Sequence, residues 1–160
     1  FSLSLSLLTP PRRPHRPRPP MAMQGDTELC RAAIAGDAER CRVLLSEGAD
    51  ANAADVFWRT PLLSAAVEGH EAVLVAVLEA RGDLSRGDRS GWTALHWAAF
   101  RGDAAMAQLC LSAGADPLQL DGRGSTPRQV AEHVRSTQGE SFGEGLQGDR
   151  GLDAVIALLP

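Results

Sequence analysis

The feature that most constrains this chain is a period of 33 residues. The stretch Gly91-Trp92-Thr93-Ala94-Leu95-His96-Trp97-Ala98-Ala99-Phe100-Arg101-Gly102 reads by itself as a loop, a helix start and a helix stop. One period upstream lies Trp58-Arg59-Thr60-Pro61-Leu62-Leu63-Ser64-Ala65-Ala66-Val67-Glu68-Gly69. One period downstream lies Gly124-Ser125-Thr126-Pro127-Arg128-Gln129-Val130-Ala131. Other positions keep the same register: Gly36, Gly69 and Gly102; Thr27, Thr60, Thr93 and Thr126; Asp55, Asp88 and Asp121; Asp50, Asp83 and Asp116. Self-similarity at a fixed spacing of this length marks stacked units, none of which buries its apolar face alone.

Each unit has the same local physics. The threonine is a helix N-cap, its hydroxyl satisfying a free backbone N–H. Pro61 and Pro127 take the first helical position, where a missing N–H costs nothing, and Ala94 replaces them as a good helix former. The first helix ends at glycine, giving helices over about 28–35, 61–68 and 94–101. Its paired alanines, Ala32-Ala33, Ala65-Ala66 and Ala98-Ala99, let neighbouring helices approach closely. Apolar residues at helical spacing place a second helix over about 38–47, 71–80 and 104–113. Gly48 and Gly114 stop it in the left-handed conformation.

In Thr60-Pro61-Leu62, Thr93-Ala94-Leu95-His96, the alanine pairs, Gly69-His70, Leu44-Leu45 and Gly48-Ala49-Asp50-Ala51-Asn52, the chain resembles the ankyrin-repeat proteins. The resemblance covers nearly all of residues 21–134 and, more weakly, 152–159. It implies an all-α repeat solenoid of about four helix-loop-helix units joined by β-hairpin-like loops. The units run over about 22–54, 55–87, 88–120 and 121–160, with a loop insertion over about 136–149. Units one and four are read as caps. The resemblance also implies protein–protein binding through the hairpin tips and the concave first-helix face. It assigns His96 to bridging backbone groups of adjacent units, His70 to the inter-helix turn, and Asn52 to bracing its hairpin.

Two departures stand out. Trp58 occupies a slot the family gives to glycine, where positive φ is expected. Arg81 replaces the glycine that stops the second helix of unit two, and Gly82 is expected to take over that stop.

Residues 1–20 stand apart as a disordered Pro/Arg-rich leader, because six prolines within residues 10–20 forbid helix and sheet. Three readings compete: upstream sequence before a true start at Met21, the remnant of a targeting peptide, or a linker. The first is preferred, since the repeat begins at Met21 and Ala22.

Composition narrows function. All sixteen basic residues are arginine, so lysine Schiff-base chemistry and a phosphate-loop lysine are excluded. Four arginines and no acid lie in residues 1–20; the remainder carries twelve arginines against twenty acids, a net of −8. Such a body is a poor ligand for nucleic acid. No apolar run is long enough to span a membrane. Cys30, Cys41 and Cys110 fit neither a disulfide framework nor a zinc motif, and suit a reducing compartment. Neither His70 nor His96 has a partner at metal-ligand spacing. Arg81-Gly82-Asp83 and Arg101-Gly102-Asp103 fall in slots where the repeat needs turn residues, and the remaining acids are expected on solvated faces.

The chain is therefore expected to be a non-catalytic interaction module without cofactor, metal or small-molecule substrate. A cytoplasmic or nuclear monomer binding another protein is expected. The alternatives are the targeting region of a larger ubiquitin ligase or acyltransferase, and an organelle protein imported by residues 1–20. Positions the scaffold does not dictate are the candidates for contact. Phe57, Arg59, Arg89, Trp92, Phe100 and Arg101 form one patch of aromatics beside arginines on adjacent units.

Overall fold

The structure is a computed structural model that describes residues 28–139 and 148–160. The expected leader, Met21 and Thr27 lie outside these residues. The helices are α1 (Glu28–Ala35), α2 (Ala38–Ser46), α3 (Pro61–Glu68), α4 (Glu71–Glu79), α5 (Ala94–Arg101), α6 (Ala104–Ser112), α7 (Pro127–Gly139) and α8 (Gly148–Leu158). Among the described residues there is no strand. The odd-numbered helices pack in series, α1 on α3, α3 on α5 and α5 on α7. The even-numbered helices form a parallel series, and each pair also packs internally. The result is a two-layer, all-α repeat solenoid.

Helix starts and stops follow the expected chemistry. Thr60 holds extended backbone and its Oγ1 accepts the Leu63 N–H at 3.2 Å, with Pro61 next in the helix. Gly69 (φ 84°) and Gly102 (φ 68°) end α3 and α5 in the left-handed region. Asp37 and Asp103 cap α2 and α6, accepting from the backbone of Arg40 at 2.9 Å and Met106 at 3.0 Å. The α4 N-cap is His70, whose side chain does not cap its own helix. Its Nε2 instead donates to the Ile34 carbonyl at 3.1 Å, tying unit two to the end of α1.

The core runs unbroken along the stack. Ala33, Ala65, Ala66, Ala98 and Ala99 are fully buried, as are Leu62, Leu63, Val73, Leu74, Val77 and Met106. The alanines let the α1–α3–α5 series close up, and the larger side chains fill the space between the two layers. Burying each leucine or valine is worth about 1.5–3 kcal/mol.

Arg81 itself adopts φ 64°, so Gly82 does not take over the stop. The Arg81 and Gly82 N–H groups bond to Leu78 and Val77 carbonyls, each at 2.9 Å, which closes the helix end. Gly82 serves close packing: a Cβ there would lie 2.7 Å from Val77 Cγ1. Trp58 holds φ 66°, the conformation of Gly91 (80°) and Gly124 (85°) one and two periods on. Backbone geometry is thus repeated even where the residue is wrong for it.

The loop expected from about 136 begins later. α7 continues to Gly139, and α8 starts at Gly148. Ser136 and Thr137 hydroxyls donate to the His133 carbonyl at 2.8 and 3.1 Å, so these polar side chains are satisfied within the last turns of the helix. Residues 140–147 lie outside the described part. Leu152, Val155 and Leu159 bury the inner face of α8 and its end, and Arg135 pairs with Asp153 at 2.6 Å between α7 and α8.

Two expectations follow for stability. Ala98 is fully buried between helices, so Ala98→Glu places a charge where no water reaches, and the helical circular-dichroism signal should be lost at 25 °C; a melt like the parent's would refute the packing. Ser64 Oγ is buried without a hydrogen-bond partner, so Ser64→Ala should stabilise the fold by about 1 kcal/mol in urea titration.

Candidate protein-binding site

Each hairpin tip is built on one aspartate. Asp55 Oδ1 accepts the N–H groups of Phe57 and Arg59 at 2.8 and 2.9 Å. Asp88 Oδ1 accepts those of Ser90 and Trp92 at 2.8 and 3.1 Å. Asp121 Oδ1 accepts those of Arg123 and Ser125 at 2.8 and 2.9 Å. The backbone closes the same turn three times: the aspartate N–H bonds to the carbonyl of Arg59, Trp92 or Ser125 at 2.9, 3.0 and 2.9 Å. This pairing is hairpin-like without being a strand. Asp55, Asp88 and Asp121 are buried, which corrects the expectation that acids outside the helix turns lie on solvated faces. Two or more N–H donors compensate each carboxylate for lost water.

The second carboxylate oxygen links the tips to aromatic rings. Trp97 Nε1 donates to Asp88 Oδ2 at 3.1 Å within unit three. Trp92 Nε1 donates to Asp121 Oδ2 at 3.0 Å, reaching the next tip, and Gly122 N–H bonds to the Ser90 carbonyl at 2.7 Å. For the Asp121 carboxyl, burial opposes ionisation, yet the N–H groups of Ser125 and Arg123 and the Trp92 indole hold it below the usual carboxylate range.

His96 is buried in the same layer. Its Nε2 donates to the Ser125 carbonyl at 3.2 Å, and Nδ1 accepts from the Thr93 hydroxyl at 2.9 Å. It therefore bridges units three and four and belongs to the scaffold. Burial pushes its imidazole below the ordinary value of 6.5, although the Ser125 carbonyl and the charges of Asp121 and Asp88 pull the other way.

The structure brings some of the sequence-selected residues together and gives others a scaffold task. Trp92 and Phe100 stand 5.4 Å apart by ring centroid. Trp92 is half-buried, and Phe100 is 45% exposed. On the neighbouring tip Phe57 is 56% exposed, with the Arg59 guanidinium 6.0 Å from its ring centre. Arg89 is exposed. Arg101 is exposed too, but the scaffold does not leave it free: Nη1 donates to the Val67 carbonyl at 2.9 Å, over Gly69 at the end of α3.

Two participants escaped the sequence reading. Trp97 packs edge-on against Trp92 at 4.8 Å and against Phe100 at 5.9 Å, making a three-ring wedge. Its spacing of three from Phe100 on one helix was the available signal. Arg123, exposed on the fourth tip, lies outside the patch selected from the sequence. Arg81-Gly82-Asp83 and Arg101-Gly102-Asp103 are turn elements, with Asp83 accepting from Ser85 N–H at 2.9 Å and Asp103 capping α6. Asn52 braces its loop against unit two, accepting the Asp83 N–H at 2.7 Å. Among the described residues no cluster of His, Cys, Asp and Glu is placed to hold a metal ion, and no helix is long and apolar enough to cross a membrane.

Repeated helix pairs, repeated aspartate-based tips and histidine bridges between units define a stacked-repeat binding scaffold. The family described as ankyrin repeats (3 copies) matches residues 22–121, and the chain belongs to that family. It is similar to the potassium channel AKT1 of Oryza sativa subsp. indica, 43% identical over 65 residues, which are 41% of this chain and 7% of that protein. It is similar to the tyrosine-protein kinase HTK16 of Hydra vulgaris, 38% identical over 93 residues, 56% of this chain and 12% of the kinase. A palmitoyltransferase, AKR1 of Lachancea kluyveri, is 28% identical over 94 residues, 59% of this chain and 13% of that enzyme. The chain thus spans only a small part of the length of these relatives.

The His96 geometry predicts a pH dependence. The unfolded chain takes up a proton near pH 6.5, whereas the folded imidazole resists until lower pH, so stability is full above that value and falls as pH drops below it. Thermal melts should shift down between about pH 7.5 and 5 and be flatter in His96→Gln. Equal slopes for the two proteins would rule the bridge out as the cause.

Proposed function

We propose that this chain is a non-catalytic module that binds a partner protein through its hairpin tips and the concave face of its first helices. Membership of the ankyrin-repeat family supports protein–protein interaction as the general role. The observation that carries the site is the exposure of Phe57 and Phe100, at 56% and 45%, on adjacent units where neither ring is needed to close the core. Large aromatics beside arginine are the residues that dominate binding energy at protein interfaces. Phe57, Arg59, Arg89, Trp92 and Phe100 form the contact patch, with Arg101 at its edge positioning α5 against α3. The module works as a monomer in the cytoplasm or nucleus, without cofactor or nucleic acid. Three buried free cysteines support a reducing compartment.

A second reading makes the chain the substrate-targeting region of a larger enzyme. Its support is the similarity to a palmitoyltransferase of which the matched part is only 13%. Sequencing the full transcript discriminates, since an in-frame catalytic segment is required by the second reading alone.

The patch is tested by cross-linking capture in cells, comparing the parent with Phe57→Ala/Phe100→Ala. The double variant should keep its circular-dichroism spectrum and lose its partners by about tenfold or more. Undiminished capture by a folded variant would remove these residues from the interface.

A further inference from the structure

Most of the described arginines on the helices and their flanks are engaged, Arg31 and Arg81 excepted: Arg40 pairs with Glu28, Arg42 with Glu39, Arg128 with Glu132 and Arg135 with Asp153. Arg86 and Arg101 donate to backbone carbonyls of Asn52 and Val67. At the tips the arginines make no ion pair among the described residues, and the Arg59 guanidinium lies over the Phe57 ring. Arg59, Arg89 and Arg123 sit one on each of three consecutive tips, and none has a carboxylate partner among the described residues. The tip segments 56–59, 89–92 and 122–125 contain no acid. The three aspartates at their bases point inward and spend their oxygens on backbone and indole N–H groups. A chain with a formal net charge of −4 therefore presents one ridge whose outward charges are all positive.

We infer that this ridge binds an extended acidic segment of a partner protein, with carboxylates repeating every third residue and an apolar side chain among them. The proposal rests on the interaction-module reading and specifies the partner's chemistry. The separation of the units sets the scale of the spacing. Consecutive units are packed helix on helix, which sets their separation at about 10 Å, and tips three and four are joined directly by the Gly122–Ser90 hydrogen bond. An extended chain advances about 3.3 Å per residue, so three residues span one unit. Each tip then offers one arginine per unit, at a different place in its turn: Arg59, Arg89 and Arg123 follow Asp55, Asp88 and Asp121 by four, one and two residues, and their long side chains take up the offset. Between them, exposed Val56 and Phe57 on the second tip and the Trp92–Phe100 wedge on the third offer apolar surface. Planar guanidinium groups take carboxylates in a two-pronged fashion, and an unpaired guanidinium needs no existing ion pair broken first. A nucleic-acid strand is the weaker occupant, because the acidic body repels a continuous row of phosphates.

The test uses the whole chain and a synthetic nine-residue peptide with glutamate at its second, fifth and eighth positions, phenylalanine at its sixth and serine elsewhere. A companion peptide has glutamine for each glutamate. Fluorescence anisotropy should show the glutamate peptide binding at least about tenfold more tightly, with the advantage fading as salt rises. Arg89→Glu/Arg123→Glu, whose side chains are exposed and so spare the fold, should remove that advantage. Equal binding of both peptides overturns the inference. So does undetectable binding at about 1 mM, an unchanged affinity in the charge-reversed variant, or tighter binding of a nine-nucleotide single strand in the same buffer. Capture in cells separates this from the broader reading. If Phe57→Ala/Phe100→Ala loses the partners while Arg89→Glu/Arg123→Glu retains them, the interaction module stands and the acidic partner falls.

Discussion

The structure depends on a carboxylate used in place of a strand. At the base of every described tip an aspartate accepts two backbone N–H groups that the sharp turn leaves without partners. A backbone N–H left unpaired in a part-buried turn costs about as much as a lost hydrogen bond. Because Asp55, Asp88 and Asp121 satisfy them, each turn holds one conformation and delivers its threonine to the start of the next helix. The oxygens left over at Asp88 and Asp121 hold the indoles of Trp97 and Trp92. The same group that forms the turn thus joins the tips to the aromatic layer and, through Trp92, one unit to the next.

That economy decides what remains outward. With acids turned in and arginines left over, the tips acquire a charge opposite to that of the chain as a whole. Contacts between units use His70, His96, Asn52 and Arg101, each reaching a backbone group of a neighbouring unit. Such contacts are sequence-tolerant on the receiving side, since a backbone carbonyl or N–H is present whatever the residue. The repeat can therefore vary its surface while the stack stays in register, and Trp58 and Arg81 at positive φ show how far that tolerance extends.

Much of this was legible from spacing. Helix starts at Thr60 and Thr93 and stops at Gly69 and Gly102 are local and periodic, so a single line of residues carries them, whereas the bridge by His96 came from the resemblance to the family. The extension of α7 was harder, because Ser136 and Thr137 look like loop residues until their hydroxyls find the His133 carbonyl. The stop at Arg81 was misassigned to Gly82 for a related reason. Glycine is the usual left-handed residue, but here close packing against Val77 had already claimed it.

By itself the sequence determined the period, the helices of the repeated units and the family, because each rests on backbone chemistry that recurs every unit. Only the tertiary structure decided which side chains remain available. Arg89 and Arg101 look alike in a list of residues, yet one is unpaired at a tip and the other is spent on the Val67 carbonyl. Likewise Trp97 joins Trp92 and Phe100 only once α5 is wound and set beside its tip. Partnership of this kind is settled by distance between units, and distance is fixed when the alanine faces close.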